Sequence, residues 1–383
     1  MSDDLSRLFD EFDRGRLSRR QLLKALGVAA VAFTPAAAFA AQGQCGGAMA
    51  GTPGCNDIPA KLPFEPTGWT TVLLDHFSCR VEDHEKEAAY YNALMNWKVR
   101  SDNGREAVLD IGDWGGLVLR GGYKAPPPTA EEQAAFARYR ARAGANAPAH
   151  MPIRNALFDG FCWGIEPWDA KKVEAELRKR GLNPVADHHG DFESFHVKDP
   201  EGFDLQISNG NRRNRRQTPA DGKLKVPAPF AHTDWKTIWL DHISYEVSDY
   251  KKTVAFYQAL LGWKPTEDEG SQNQVQIGDV GDAIIRRNYR VDKTGKPMEP
   301  VRRGARIGHI AFGITPFDPD QVKAALEERK LRAQVDTGAR GDIHTAAYKS
   351  YHTTTPNGFD LQISSTTLAT REPPPAPGGG DVE

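Results

Sequence analysis

Several features that would assign a function at once are scarce or missing in this chain of 383 residues. It contains four cysteines and no CxxC pair, which excludes a disulfide scaffold and a CxxC-type zinc or redox motif. Its 49 basic and 51 acidic residues nearly balance, so the positive surplus that nucleic-acid binding needs is lacking. The apolar stretch 25–39 is too short to span a membrane stably. The length and a hydrophobic fraction of 39% instead allow two ordinary domains, each with a core.

The N-terminus carries an export pattern that stands apart from the fold. Twin arginines, Arg19 and Arg20, precede the apolar stretch, and residues 38–40 (AFA) form a small-x-small cleavage pattern. This arrangement resembles a twin-arginine (Tat) export signal. The resemblance implies contact with the Tat machinery, removal of residues 1–40, and a periplasmic or secreted protein without a stable membrane anchor. An anchored or cytoplasmic N-terminal helix is the alternative.

An extension, residues 41–65, follows the predicted cleavage site. Cys45 and Cys55 flank a glycine-rich stretch within it. An oxidising compartment would permit a short-loop disulfide between these two cysteines.

What the chain does contain is an internal repeat. Residues 74–78 (LDHFS) recur as residues 240–244 (LDHIS), 166 positions later. After an insertion in the first copy the offset shortens, and residues 202–208 (GFDLQIS) recur as residues 358–364. Because a repeat fixes the architecture, we expect two copies of one domain.

Each copy is predicted to run strand, helix and further strands, twice over. In the second copy, residues 238–247 form an apolar strand pattern, and Asp249 can cap a helix that Gly262 ends. The first copy matches, with a helix-like insertion at 129–143. The predicted boundaries are domain 1 at 66–210, a linker at 211–232, domain 2 at 233–368 and a disordered tail at 369–383.

The βαβββ–βαβββ pattern, with its leading Leu-Asp-His strand and closing Gly-Phe-Asp-Leu strand, resembles the vicinal oxygen chelate (VOC) superfamily. The resemblance covers about residues 66–210 and 233–368. It implies an α+β fold in which each pair of βαβββ modules curls into an open barrel around a metal or ligand. The superfamily includes glyoxalase I, extradiol ring-cleavage dioxygenases and metal-free bleomycin-binding proteins, so the function depends on the site residues.

The resemblance also assigns candidate metal ligands to the first strand of each module and the last strand of the second. In the second copy these positions hold His242, His309 and Gln362, and in the first copy they hold His76, Gly160 and Gln206. Since the first copy lacks one histidine, a metal is predicted for the second copy alone. A neutral glutamine binds metal less well than a glutamate, so the alternative is that both glutamines are structural.

The closing segment of the second copy resembles the extradiol dioxygenase signature. His344 occupies the position of the catalytic histidine, and His352 stands where tyrosine is usual. The resemblance implies that His344 is the acid/base and His352 an auxiliary proton donor, and histidine titrates close to neutral pH. A shared structural role is the alternative, because His188 and His196 repeat this frame in the first copy.

These matches predict an extradiol-dioxygenase-like oxidoreductase that acts on a small, catechol-like substrate with vicinal oxygens. Fe²⁺ or Mn²⁺ is the favoured cofactor, with Zn²⁺ and Ni²⁺ as alternatives. A glyoxalase-like lyase or isomerase would use the same metal without O₂. A resistance-type binding protein would sequester a small molecule without metal. No nucleic-acid partner is predicted, and the sequence does not determine the oligomeric state.

Two further expectations concern the direction of side chains. Because side chains alternate between the faces of a strand, Cys79 should point away from the cavity and Cys162 into it, so no disulfide should join them. Arg286 falls on a strand that often faces the cavity in the superfamily. It could hold an anionic group there, but an exposed arginine is the expectation.

Overall fold

A computed structural model describes residues 61–143, 151, 154–211, 222–291, 294–297, 301, 304–338 and 341–370. The predicted export signal, the Cys45 and Cys55 pair and residues 371–383 lie outside these ranges. The described chain forms two mixed eight-stranded sheets, one from each copy of the repeat, with five helices. Both sheets are open in their strand order. The predicted α+β class and two-copy organisation are therefore confirmed.

The first sheet contains eight strands of the first copy. They are β1 (Thr70–Val81), β2 (Lys98–Asp102), β3 (Glu106–Ile111), β4 (Gly115–Arg120), β5 (Ala156–Glu166), β6 (Val185–Ala186), β7 (Ser194–Lys198) and β8 (Asp204–Ser208). Their spatial order is β2-β3-β4-β1-β5-β8-β7-β6. The leading strands of the two modules, β1 and β5, are therefore antiparallel neighbours at the centre of the sheet.

The second sheet repeats this order with strands of the second copy. They are β9 (Lys236–Val247), β10 (Lys264–Asp268), β11 (Gln272–Ile277), β12 (Gly281–Arg287), β13 (Arg306–Thr315), β14 (Gln334–Asp336), β15 (Ser350–Thr354) and β16 (Asp360–Ser364). The sequence did not predict β10 or β14. Neither strand alternates apolar and polar residues, because both lie at the edges of the sheet and bury little.

The five described helices are α1 (His84–Met95), α2 (Ala130–Ala143), α3 (Ala170–Lys179), α4 (Tyr250–Leu261) and α5 (Pro319–Glu328). An aspartate caps four of them by accepting a backbone N–H three residues later. Gly262 ends α4 with φ 68°, and a Cβ there would lie 2.4 Å from the carbonyl oxygen of Trp69. None of the described helices is long and apolar enough to span a membrane.

The tryptophan that follows the first helix of each copy packs into the other copy. Trp97 Nε1 donates to Thr237 Oγ1 at 2.8 Å, and Trp263 Nε1 donates to Thr71 Oγ1 at 3.0 Å. Tyr91 stacks on Trp97 with ring centroids 4.7 Å apart. This reciprocal packing explains why these aromatic residues recur in the sequence. It joins the apolar residues of both domains into one continuous core.

Two buried carboxyl groups also bind across the boundary between the domains. Asp199 accepts the hydroxyls of Tyr245 and Tyr257 at 2.6 and 3.0 Å. Glu87 accepts the backbone N–H and the side-chain Nδ2 of Asn357 at 3.1 and 2.6 Å. Burial raises the pKa of both carboxyl groups. Their hydrogen bonds therefore offset a real desolvation cost.

Candidate metal centre

Cross-strand pairing places the predicted ligands on one face of the second sheet. His242 on β9 pairs with Ala311 on β13, and Ala311 pairs with Gln362 on β16. Gln362 in turn pairs with His352 on β15. Paired residues project their side chains to the same face, and His309, two residues before Ala311, projects there too. The sheet therefore brings His242, His309, Gln362 and His352 together.

His242 and His309 face each other through their Nε2 atoms, which lie 3.0 Å apart. Two ligands that sit about 2.1 Å from one ion, at about 90° to each other, are about 3 Å apart. Burial, reinforced by the electrostatic effect of neighbouring side chains, lowers the pKa of His309 to about 2. Its imidazole is therefore neutral, which is the form that binds a metal.

The buried side chain of Gln362 has an amide orientation that its neighbours determine. Ser350 donates its hydroxyl hydrogen to the carbonyl oxygen of Asp336, and Tyr348 donates to the carboxylate of Asp241, each at 2.8 Å. Both hydroxyl oxygens can therefore accept from Gln362 Nε2, which lies 2.7 and 3.0 Å away. Gln362 Oε1 is left buried with no hydrogen-bond partner among the described residues. Such an oxygen is suited to bind a metal ion or a ligand.

His352 lies beside the ligand group with both ring nitrogens engaged. Its Nδ1 lies 3.1 Å from Asp360 and its Nε2 lies 3.2 Å from Asp336, while its ring centroid is 5.0 Å from that of His309. Burial alone would lower the pKa of His352, but the two carboxylates raise it to about 9. This geometry favours a fixed positive charge next to the site over the predicted donation of a proton to substrate.

The structure does not bring His344 to this group. His344 lies exposed in the loop segment 341–349, and its Nδ1 contacts Asp342 at 2.8 Å while its Nε2 contacts Asp320 on α5 at 3.0 Å. The hydrogen bonds to these two carboxylates raise the pKa of His344. The signature spacing predicted an acid/base at this position, but spacing does not determine the course of a long loop. We therefore assign no catalytic role to His344.

Arg286 on β12 projects to the same face as the ligands. Asp282 pairs with His242, and Arg286 follows four residues later on the same strand. Arg286 is partly buried, burial lowers its pKa, and its Nε has no hydrogen-bond partner among the described residues. Its counterpart Arg120 is exposed and bound to Glu106. The expectation of an exposed arginine is therefore wrong for the second copy.

In the first sheet, different residues occupy some of the positions that correspond to the proposed ligands of the second sheet. Gly160 pairs with Asp204 as His309 pairs with Asp360, so Gly160 does occupy the position of the missing histidine. Cys162 pairs with His76 and therefore shares its face. Neither Cys162 nor Cys79 forms a disulfide, and both are buried. The predicted absence of a bond between these two cysteines is confirmed.

Groups of histidine, cysteine and acidic side chains that could hold a metal occur at three places in the described chain. They are His309–His352–Asp360, Asp75–His76–Cys162 and His84–Glu85–Asp102. In the first group, Asp360 already forms ion pairs with both His352 and Arg332. In the last, Lys225 Nζ lies 2.7 Å from Asp102 and already supplies a cation. Because Asp360 is already engaged in these ion pairs, Gln362 is a better third ligand than Asp360 for His242 and His309.

Comparison with known proteins adds a sequence match for the second domain. Residues 239–363 match the family model of the Glyoxalase/Bleomycin resistance protein/Dioxygenase superfamily. This match supports the predicted superfamily resemblance independently of the fold. Comparison with curated protein sequences gives no significant match.

Solved structures with the same fold extend the similarity to both domains of the chain. Three of them have a TM-score of 0.50: the Mn(II)-bound glyoxalase from Novosphingobium aromaticivorans, the 2,3-dioxygenase LapB from Pseudomonas sp. KL28 and homoprotocatechuate 2,3-dioxygenase from Arthrobacter globiformis. They are 13%, 14% and 16% identical to this chain, cover 79%, 77% and 80% of it, and are themselves covered over 86%, 92% and 83%. At these identities the likeness shows the fold alone.

Proposed function

We propose that the second domain binds one divalent metal ion through His242, His309 and Gln362. The 3.0 Å separation of the two Nε2 atoms carries this proposal. The buried Gln362 Oε1, which has no hydrogen-bond partner among the described residues, supports it. A ligand set of imidazole and oxygen without thiolate favours Fe²⁺ or Mn²⁺, and Zn²⁺ or Ni²⁺ would also fit it.

The activity we propose is extradiol-dioxygenase-like oxidation of a small catechol-like substrate. When bound, the metal would act as a Lewis acid toward two neighbouring substrate oxygens and would favour their deprotonation. The burial of His242 and His352 would exclude water from the reacting groups. The Arg286 guanidinium, on the same face, would hold an anionic substituent such as a carboxylate. His352 would keep its positive charge beside the site through its two carboxylate partners.

A glyoxalase-like lyase or isomerase is the second candidate function. Gln362 is neutral, so the ion would keep more of its positive charge than it would beside a glutamate. A more positive ion suits Lewis-acid chemistry that does not need a redox change. One of the solved structures with the same fold is a Mn(II)-bound glyoxalase, but that similarity extends to the fold alone.

Oxygen dependence separates these candidates. Protein purified without a histidine tag would be loaded with Fe²⁺ or Mn²⁺ under nitrogen and given catechols with and without a carboxylate. A dioxygenase consumes O₂ and yields a coloured ring-cleavage product, whereas a lyase turns over a glyoxalase substrate without air. A metal-free binding protein does neither and is only stabilised by its ligand. Turnover that survives both chelation and removal of O₂ would exclude the two metal-dependent functions.

The variant Arg286→Met tests the proposed carboxylate contact, because methionine keeps the apolar stem and loses the charge. We expect a higher KM for carboxylate-bearing catechols and an unchanged KM for unsubstituted catechol. Arg120→Met is the matched control, since Arg120 occupies the equivalent position in the first domain, and it should change neither value. An equal change in KM for both substrates in Arg286→Met would contradict the proposed contact.

We also propose that the protein is exported by the Tat system. The twin arginines, the apolar stretch and the small-x-small pattern support this proposal. Replacing Arg19 and Arg20 together by lysine should retain the protein in the cytoplasm with an unprocessed N-terminus, as fractionation and N-terminal mass spectrometry would show. Unchanged processing in that double variant would contradict Tat export.

A further inference from the structure

The first domain presents a second group of metal-binding side chains where the sequence predicted none. Across the first sheet, His76 on β1 pairs with Cys162 on β5, and Cys162 pairs with Gln206 on β8. In the second domain the corresponding positions hold His242, Ala311 and Gln362. The first domain has therefore lost one histidine at Gly160. It has a thiol at the position where the second domain has only the methyl group of Ala311.

The side chains of Asp75, His76 and Cys162 converge closely. Each offers one ligand atom, and these three atoms lie within 4.8 Å of one another. In a tetrahedral zinc site, a sulfur and a nitrogen ligand are about 3.6 Å apart, so a contraction of about 1 Å brings the group to that geometry. Asp75 Oδ1 already lies 2.8 Å from His76 Nδ1.

The chemistry of this group differs from that of the second domain. A thiolate and a carboxylate together neutralise a divalent ion, and sulfur ligands select thiophilic metals over Mn²⁺ or Mg²⁺. The Asp75 and His76 side chains are 15% and 19% exposed, so an ion can reach the group from solvent. We propose that Asp75, His76 and Cys162 form a separate metal site in the first domain that binds Zn²⁺. This site is independent of the one proposed in the second domain.

Cobalt provides the direct test, because Co²⁺ replaces Zn²⁺ and gives a near-ultraviolet charge-transfer band only when a thiolate binds it. The whole protein would be used without a histidine tag, with Cys45 and Cys55 replaced by serine to remove the thiols of the N-terminal extension. We expect the band in this protein and its loss in Cys162→Ala, which introduces the residue that the second domain has there. His76→Ala should weaken Co²⁺ binding at this site by at least tenfold.

Two control variants keep the result specific. Cys79→Ala removes the other buried thiol of the first domain and should keep the band. His309→Gly should lower the cobalt stoichiometry by one and also keep the band, because it affects only the second domain. Absence of a thiolate band in the parent protein, or its persistence in Cys162→Ala, would overturn the proposal. The cobalt spectrum of the parent protein tests the proposal even if a variant fails to fold.

Discussion

The two domains share strand order and pairing register but differ at several positions of the face where the proposed ligands lie. The second domain has His309, Ala311 and Tyr348, where the first domain has Gly160, Cys162 and Phe192. The glutamine and the leading histidine are common to both. A duplicated scaffold has thus kept its strand order, while one imidazole, that of His309, is absent from the first domain and one thiol, that of Cys162, is present there. Chemical specificity therefore depends on a few inward side chains and not on the fold.

Replacing His309 by the glycine of the first domain should have the largest effect. His309→Gly removes one of two imidazoles and leaves a pair of ligands, which rarely holds a metal. Even the loss of a residue that only orients a ligand costs about 10–100-fold in affinity, so the loss of His309 should cost more than about 100-fold. Metal analysis and isothermal titration with Mn²⁺ would measure it. Full metal retention would show that His309 is no ligand.

The two copies also differ in the side chain that each supplies to the boundary between the domains at one corresponding position. Asp199 in the first copy corresponds to Thr355 in the second, and both accept a backbone N–H four residues later. Asp199 additionally accepts two buried tyrosine hydroxyls. Each hydroxyl left without a partner costs about 1–3 kcal/mol, so Asp199→Ala should lower the free energy of unfolding by about 2–6 kcal/mol. The matched variant Thr355→Ala should cost less. Equal losses in urea denaturation would contradict this asymmetry.

The sequence predicted the fold well because the repeat and its apolar periodicity reflect burial directly. The repeated tyrosines of α1 and α4 and the tryptophans that follow these helices lie in the core, and Gly262 ends α4 as expected. The edge strands β10 and β14 were missed since their residues bury too little to leave a pattern.

The site could be predicted only in part. His242, His309 and Gln362 lie on strands whose register follows from the repeat, so their convergence was accessible to sequence reasoning. His344 lies in a loop, and its exposed contacts with Asp342 and Asp320 depend on a course that spacing does not encode. Cys162 was placed correctly on the inner face. Its role as a candidate ligand required the distances to Asp75 and His76, which only the three-dimensional structure provides.

Replacing Tyr348 tests the comparison of the two domains with a smaller expected effect on metal affinity. Its hydroxyl donates to Asp241 and accepts from Gln362, so it helps to hold both ligand-bearing strands. Tyr348→Phe introduces the residue of the first domain and should weaken metal binding by about tenfold, as expected for a residue that orients ligands. The reverse control, Phe192→Tyr, should leave metal binding unchanged in both domains. An unchanged affinity in Tyr348→Phe would show that the glutamine is held without it.

The smallest net effect is expected for Gln362→Glu, because two consequences oppose each other. A carboxylate oxygen would bind a divalent ion more tightly than the neutral Oε1. The same carboxylate would lose the hydrogen bonds that Nε2 donates to Ser350 and Tyr348, and it would lie close to Asp336, 3.4 Å from the present Nε2. Without metal, Gln362→Glu should therefore lower the melting temperature by several degrees, in line with a cost of at least about 1–3 kcal/mol for a buried group that loses its partners.

Added Mn²⁺ should restore that loss in Gln362→Glu through binding to the folded state, and the stabilisation should be greater than in the parent protein. Gln206→Glu is the matched control, because Gln206 also donates to a serine, Ser194, at 2.8 Å. It should show the loss of stability without the rescue by Mn²⁺, since Mn²⁺ is a poor match for the thiol beside it. Equal rescue of both variants would place manganese in both domains and remove the chemical difference between them.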